Sequence, residues 1–142
     1  MPHAGPMALL DEVVRFAGET IVCRTRACAE RALGEKPDAA VPAWVAIEYA
    51  AQAVAAYAGM EARARGEPVR VGFLLGTRGL DLRRGELAAA EPIEVIARRA
   101  WWGGVMGVFE CAVNSLADGS VVVEGNLNVY LPKNVETVYY GD

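Results

Sequence analysis

Residues 41–60 read VPAWVAIEYAAQAVAAYAGM, an apolar run in which Glu48 is the only charged side chain and Gln52 the only carboxamide. Trp44, Ile47, Ala51, Val54, Ala55 and Ala58 fall at the helical spacing i, i+3, i+4, i+7, and the positions between them are mostly apolar too. A helix apolar on every side is normally buried on every side, so the spacing predicts a central helix from about Ala43 to Arg65 with Glu48 inside the core. Pro42 suits the first helical turn, and Gly59 or Gly66 can end the helix in a left-handed conformation. The run is long enough to suggest a membrane span. Its proline, Glu48, Gln52 and dependence on alanine argue against one. Eight alanines, at 43, 46, 50, 51, 53, 55, 56 and 58, favour a helix that lies close against a flat surface, and that surface is expected to be a β-sheet.

The 142 residues suit a single domain, expected over 1–132, followed by a patternless tail at 133–142. The hydrophobic share of 54% exceeds what one core needs, and an oligomer interface is the simplest destination for the surplus. With 14 basic and 18 acidic residues, net charge −4, the chain is not expected to bind nucleic acid or an anionic membrane surface. Between Arg63 and Arg99 the balance reverses, eight arginines against five acids, which fits either solvated strand ends or a docking patch for an acidic partner. Cys23, Cys28 and Cys111 make no disulfide framework or zinc spacing and fit reduced packing residues. The first residues, MPHAGPM, lack the basic and apolar segments of a signal peptide, so the expected location is the cytoplasm.

Outward from the helix, the N-terminal loop carries His3, the only histidine. Leu9 to Phe16 reads as a strand or a strand with a helical turn, and Asp11 within it as a capping or turn residue. Thr20 to Ala29 alternates as a second strand, with Ile21, Cys23 and Thr25 on one face. Arg31 to Ala40 reads as a loop. Val69 to Leu82 reads as a strand whose Gly72, Gly76 and Gly79 imply a bulge or a close backbone approach. Pro92 to Trp102 and Val105 to Leu116 flank Gly103 and Gly104, a hairpin signal, and Ser120 to Leu131 closes the sheet. The class is α+β, an antiparallel sheet wrapped around one long central helix.

Three motifs, PHxGxMxLLDxV at Pro2 to Val13, AIEYAAQA at Ala46 to Ala53 and GFLLGTR at Gly72 to Arg78, resemble those of the hotdog-fold 3-hydroxyacyl-[acyl carrier protein] dehydratases. The similarity is greatest to the small dehydratase-like proteins of aryl polyene and related pigment biosynthesis. It implies a hotdog fold, a dimer that continues the sheet, and acyl tunnels at the dimer interface. It also implies a catalytic carboxylate at Glu48 with Gln52 four residues on. The pre-helix histidine of housekeeping dehydratases is absent from GEKPDAAVPAW, which leaves His3 to reach the site from the N-terminal loop.

Dehydration needs a base for the α-proton, donors to the thioester carbonyl and an acid for the departing hydroxyl. Glu48 and His3 are the expected acid and base. Backbone N–H groups around Trp44 to Ala46, or near Gly76, are the candidate carbonyl donors, and Gln52, Gly76 and Arg78 the candidate substrate-binding residues, with Arg78 placed for the phosphate of a phosphopantetheine arm. No metal or other cofactor is implied, because the phosphopantetheine arrives with the substrate. The implied partners are acyl carrier protein and a second hotdog chain, in a homodimer, a higher oligomer or a heterodimer. Two other readings remain: an acyl thioesterase, and a non-catalytic subunit of an active dehydratase. Glu48 paired structurally with Arg78 or Arg26, and Trp101 and Trp102 serving as cross-strand packing, are the corresponding non-catalytic roles.

Overall fold

A computed structural model describes residues 9–67 and 74–130, with the backbone alone at 74, 75, 77 and 78. The tail at 133–142, His3 and residues 69–73 of the third expected strand lie outside the described residues. The elements run β1 (Glu12–Ala17), β2 (Thr20–Arg26), α1 (Ala29–Leu33), β3 (Val41–Pro42), α2 (Val45–Ala64), β4 (Leu74–Leu82), β5 (Glu86–Leu87), β6 (Pro92–Trp102), β7 (Met106–Ser115) and β8 (Val121–Tyr130). Six strands form one sheet in the order β1-β2-β6-β7-β8-β4, every neighbouring pair antiparallel, and β3 pairs with β5 apart from it.

Alternation along the strands explains why α2 lies where it does. Ile21, Cys23 and Thr25 of β2, Ile93, Val95 and Ala97 of β6, and Phe109, Cys111 and Val113 of β7 point to one face and are buried. The helix covers that face over β2, β6, β7 and β8. Its Ala46, Ala50, Ala53 and Ala56 are buried, and Tyr49 and Tyr57 are its largest buried side chains. The alanines let the two backbones approach, as their helix-forming, small-volume character predicts.

Two polar clusters fasten the edges. At the C-terminal end of α2, Arg99 Nη1 donates to both carboxylate oxygens of Glu61 at 2.9 Å, and the Tyr57 hydroxyl donates to the Gly18 carbonyl at 3.1 Å. At the start of β6 the carboxylate of Glu91, 7% exposed, accepts from Arg84 through two bonds of 2.7 and 3.0 Å, from Ser115 Oγ at 2.5 Å and from the Ala88 N–H at 2.8 Å. These partners hold its pKa down at about 2, with the Arg84 hydrogen bonds the largest cause.

Some expectations are corrected. Pro42 is not in the first helical turn: it lies in β3 opposite Glu86, and α2 begins three residues later because the Ala43 N–H is taken by the Gly85 carbonyl. The expected loop from Arg31 begins inside α1, a five-residue helix closed by Gly34 at φ 71°, too short to leave a periodic signal. Asp11 is no cap: it pairs with Arg31 at 2.7 Å and accepts from Thr25 Oγ1 at 3.2 Å. The bulge implied by the glycines of β4 is present, as a register shift between Thr77 and Gly79. The close approach involves Gly125 of β8, at φ 146°, where an added Cβ would lie 1.9 Å from the Gly79 carbonyl oxygen.

Candidate functional site

Glu48 sits in the first turn of α2, and its side chain is exposed. This overturns the expected burial. A helix apolar all round is not covered all round here, because the sheet takes one side of α2 and leaves the stripe of Trp44 and Glu48 open. Trp44, the residue at the helix N-cap, is 54% exposed and one turn before Glu48 on the same face. The sequence pattern assigned Trp44 to the core, since apolar periodicity cannot distinguish a side chain facing the sheet from one facing outward. Among the described residues Glu48 has no hydrogen bond or ion pair, and the structural pairing with Arg26 is not made; Arg26 donates instead to the Ala90 carbonyl at 3.1 Å.

The backbone around Glu48 sorts the candidate carbonyl donors. The Ala46 N–H is already bonded to the Ala43 carbonyl at 2.9 Å, and the Ile47 N–H to the Trp44 carbonyl at 3.0 Å. The N–H groups of Trp44 and Val45 have no acceptor among the described residues. Two amides at a helix N-terminus, one turn from an open carboxylate, can polarise a carbonyl while the carboxylate exchanges a proton with the neighbouring carbon.

Gln52 is 3% exposed, and its carboxamide oxygen accepts the Leu9 N–H at 2.9 Å rather than turning to Glu48. Gly76 lies on β4 at the sheet edge, opposite Asn128, beyond the strands that α2 covers. Arg78 stands at the β4 bulge, and its side chain lies outside the described residues. The structure thus places Glu48 and Gln52 on one helix and does not bring the Gly76 backbone to them within this chain. Trp101 and Trp102 are both partly exposed, and each ring packs over a glycine, Gly103 and Gly107 respectively. Gly107 is the cross-strand partner of Trp102, so the packing role holds there.

The remaining chemistry is sparse. Burial pushes the Cys23 thiol up to about 11 and the Cys111 thiol up to about 12. A depression of about 460 Å³, lined by Ile96, Arg98, Glu110, Ala112 and Asn126 among others, lies on the sheet face turned away from α2, and so away from Glu48. Among the described residues no group of three or more His, Cys, Asp or Glu side chains could hold a metal ion, and no helix is long and apolar enough to cross a membrane.

Comparison with known proteins decides the family. A family model described as ApeP dehydratase matches residues 1–140. The chain belongs to the ApeP-like dehydratase family. Among solved structures, the dehydratase heterocomplex ApeI:P from Xenorhabdus doucetiae matches with a TM-score of 0.83 at 25% identity, over 96% of this chain and 91% of that one. The PaaI protein of the E. coli phenylacetic acid degradation operon matches with a TM-score of 0.63 at 12% identity, over 85% and 78% of the two chains. Zebra fish thioesterase superfamily member 2 matches with a TM-score of 0.59 at 15% identity, over 89% and 84%. The last two share the hotdog fold and nothing finer. No curated protein matches. Within the ApeP-like family the expected hotdog architecture is thus the one observed.

Proposed function

We propose that this ApeP-like protein dehydrates a 3-hydroxyacyl group carried on acyl carrier protein to the trans-2-enoyl thioester. The observation that carries the reading is Glu48: an open carboxylate, without a partner among the described residues, in the apolar first half of α2, one turn from the amides of Trp44 and Val45 that have no acceptor among the described residues. In the reaction the bond from the α-carbon to its proton breaks, a double bond forms between the α- and β-carbons, and the β-hydroxyl leaves with a proton as water. The two amides stabilise negative charge on the thioester oxygen, and Glu48 shares proton transfer with His3. His3 is six residues before Leu9, and six residues span up to about 20 Å, enough to reach Glu48 from Leu9's anchor one turn along α2.

The exposure of Glu48 supports a site completed by a second hotdog chain, whose cover would exclude water from the carboxylate. The heterocomplex in which the Xenorhabdus relative occurs favours a heterodimer. Acyl carrier protein would bring the phosphopantetheine, with Gly76 and Arg78 as its proposed contacts and no metal or other cofactor required. The site of action is the cytoplasm. The same heterocomplex supports a second reading, a non-catalytic subunit that holds an active partner.

The test is hydration of a crotonyl thioester, with free thiol measured in parallel, on wild type, Glu48→Gln and His3→Ala, each alone and with a co-expressed hotdog partner. A general acid or base contributes about 10²–10⁴-fold, so losses of that size are expected in both variants. Full activity in Glu48→Gln would end the proposal. Thiol release dependent on Glu48 would replace it with the thioesterase, and activity residing wholly in the partner would replace it with the subunit reading.

A further inference from the structure

Of the two tryptophans beside the Gly103-Gly104 turn, packing accounts for one. The register shift between Arg99 and Trp101 turns them to opposite faces of the sheet: Trp102 lies over Gly107 on the helix side, and Trp101 pairs with Val108 on the side turned away from α2. Phe109 fixes that assignment, because it is buried on the helix side and its strand neighbour Val108 must point the other way. Trp101, Val108 and Asn128 therefore form one row across β6, β7 and β8, with Met106 and Tyr130 paired in the next row. Trp101, Met106 and Tyr130 are 54%, 44% and 43% exposed. Side chains of that size, about half open, present roughly 300 Å² of apolar surface, as large as patches that mark interaction sites.

The row carries an unmet polar demand at each end. Asn128 Oδ1 is shielded from solvent and has no hydrogen-bond partner among the described residues, a costly state for a carboxamide. The Trp101 indole N–H has no acceptor among the described residues either, and an indole can only donate. Within one chain β7 holds the two about 10 Å apart. The Trp101 ring leans over Gly103 instead. A row that reads donor, apolar residue, acceptor matches its own copy when that copy is turned over about β7.

We propose that this end of the outer sheet face is an isologous interface between two copies of the chain, stacked sheet on sheet about a two-fold axis along β7, the Trp101 indole of each donating to the Asn128 carboxamide of the other. The axis sets β6 of one copy over β8 of its partner, so both demands are met at once, while Val108 and Met106 meet their counterparts on the axis. Asn128 turns outward to do so, and its oxygen gives up no hydrogen bond. The adjacent Arg98–Glu110 pair, bonded at 2.5 Å within each copy, brings no net charge to the contact. It extends the contact beyond the apolar patch toward the roughly 800 Å² per partner of a stable interface. Because α2 lies on the other side of the sheet, copies joined here leave both Glu48 carboxylates as open as before. The contact stands apart from the dehydratase reading and from the second hotdog chain proposed for the Glu48 side.

Sedimentation velocity on the full chain, alone and with a co-expressed hotdog partner, gives the assembled mass of wild type, Val108→Arg, Trp101→Phe and Asn128→Leu, with melting curves to confirm that each folds. Val108→Arg sets like charges against each other on the axis and is expected to halve the assembled mass. Trp101→Phe keeps an aromatic ring but removes the donor, and Asn128→Leu removes the acceptor; these two decide the matter if Val108→Arg does not fold. Each deletes both symmetric bonds, so each is expected to raise the dissociation constant about 10- to 100-fold, and the double variant no further. The Trp101 indole N–H is expected to exchange at least tenfold more slowly in wild type than in Asn128→Leu.

A monomeric wild-type chain, or an assembled mass that none of the three variants lowers, overturns the interface. Assembly lost in Trp44→Ala but kept in Val108→Arg would put the copies on the α2 side and overturn it too. Assembly through Val108 only when the hotdog partner is present would assign the face to that partner instead of a second copy. Additive losses in the double variant, or equal indole exchange in wild type and Asn128→Leu, overturn the pairing of Trp101 with Asn128.

Discussion

Replacing Glu91 by glutamine should destabilise the fold in a way that disappears in acid. The folded pKa of Glu91 is about 2, against an ordinary value of 4.5. At 1.36 kcal/mol per decade this difference corresponds to about 3 kcal/mol of stability at neutral pH. Because the folded value is the lower one, the contribution is complete above 4.5 and is lost as pH falls toward and through 2. About 1 kcal/mol should remain at pH 3 and almost none at pH 2. Glu91→Gln keeps the shape but removes the charge and leaves Arg84 without its counter-ion. The Arg84 side chain is 26% exposed, so water recovers part of that cost. The expected loss at pH 7 is therefore about 2–3 kcal/mol, or a urea midpoint lower by about 1–2 M. Urea titrations of both proteins at pH 7, 4 and 2.5, at one fixed chain concentration, make the comparison. The gap should narrow steadily between pH 4 and 2.5. A gap of the same size at pH 7 and 2.5 would refute the reasoning, since it would arise from packing rather than from ionisation.

Gly125→Ala should lower the melting temperature by roughly 5–10 °C, because a Cβ at φ 146° meets the Gly79 carbonyl oxygen and forces β4 off β8; calorimetry measures it, and an unchanged melting point would mean the strands relax at no cost. Ala53→Leu, which adds three carbons between α2 and the sheet where Ala53 is 0% exposed, should cost about 1–3 kcal/mol in urea unfolding, and no loss would show that the helix does not lie tightly on the sheet.

The parts of the fold legible in the sequence are those with strong local grammar. The alanine-rich run gave α2, the Gly103-Gly104 pair gave the β6–β7 hairpin, and the glycines of 72–79 gave the β4 bulge. What escaped depends on contacts distant in sequence. Pro42 joins β3 because Glu86 waits opposite it, and Glu91 is buried where Ser115, 24 residues on, joins its nearby partners Arg84 and Ala88; neither the Glu86 nor the Ser115 contact is visible in a local pattern. The helical spacing of Glu48 and Gln52 was legible in the sequence, and their exposure was not. Glu48 and Gln52 stand one turn apart as the helix demands, yet the first is open and the second committed to Leu9, and only the placement of the sheet and the N-terminal segment decides which is which.

Cys23 and Cys111 lie inside the core with their thiols pushed up to about 11 and about 12. Acyl exchange from a thioester to a protein sulfur proceeds through the thiolate, and at neutral pH these two sulfurs hold their protons. The two core sulfurs are therefore packing groups that are chemically silent toward any thioester the protein meets.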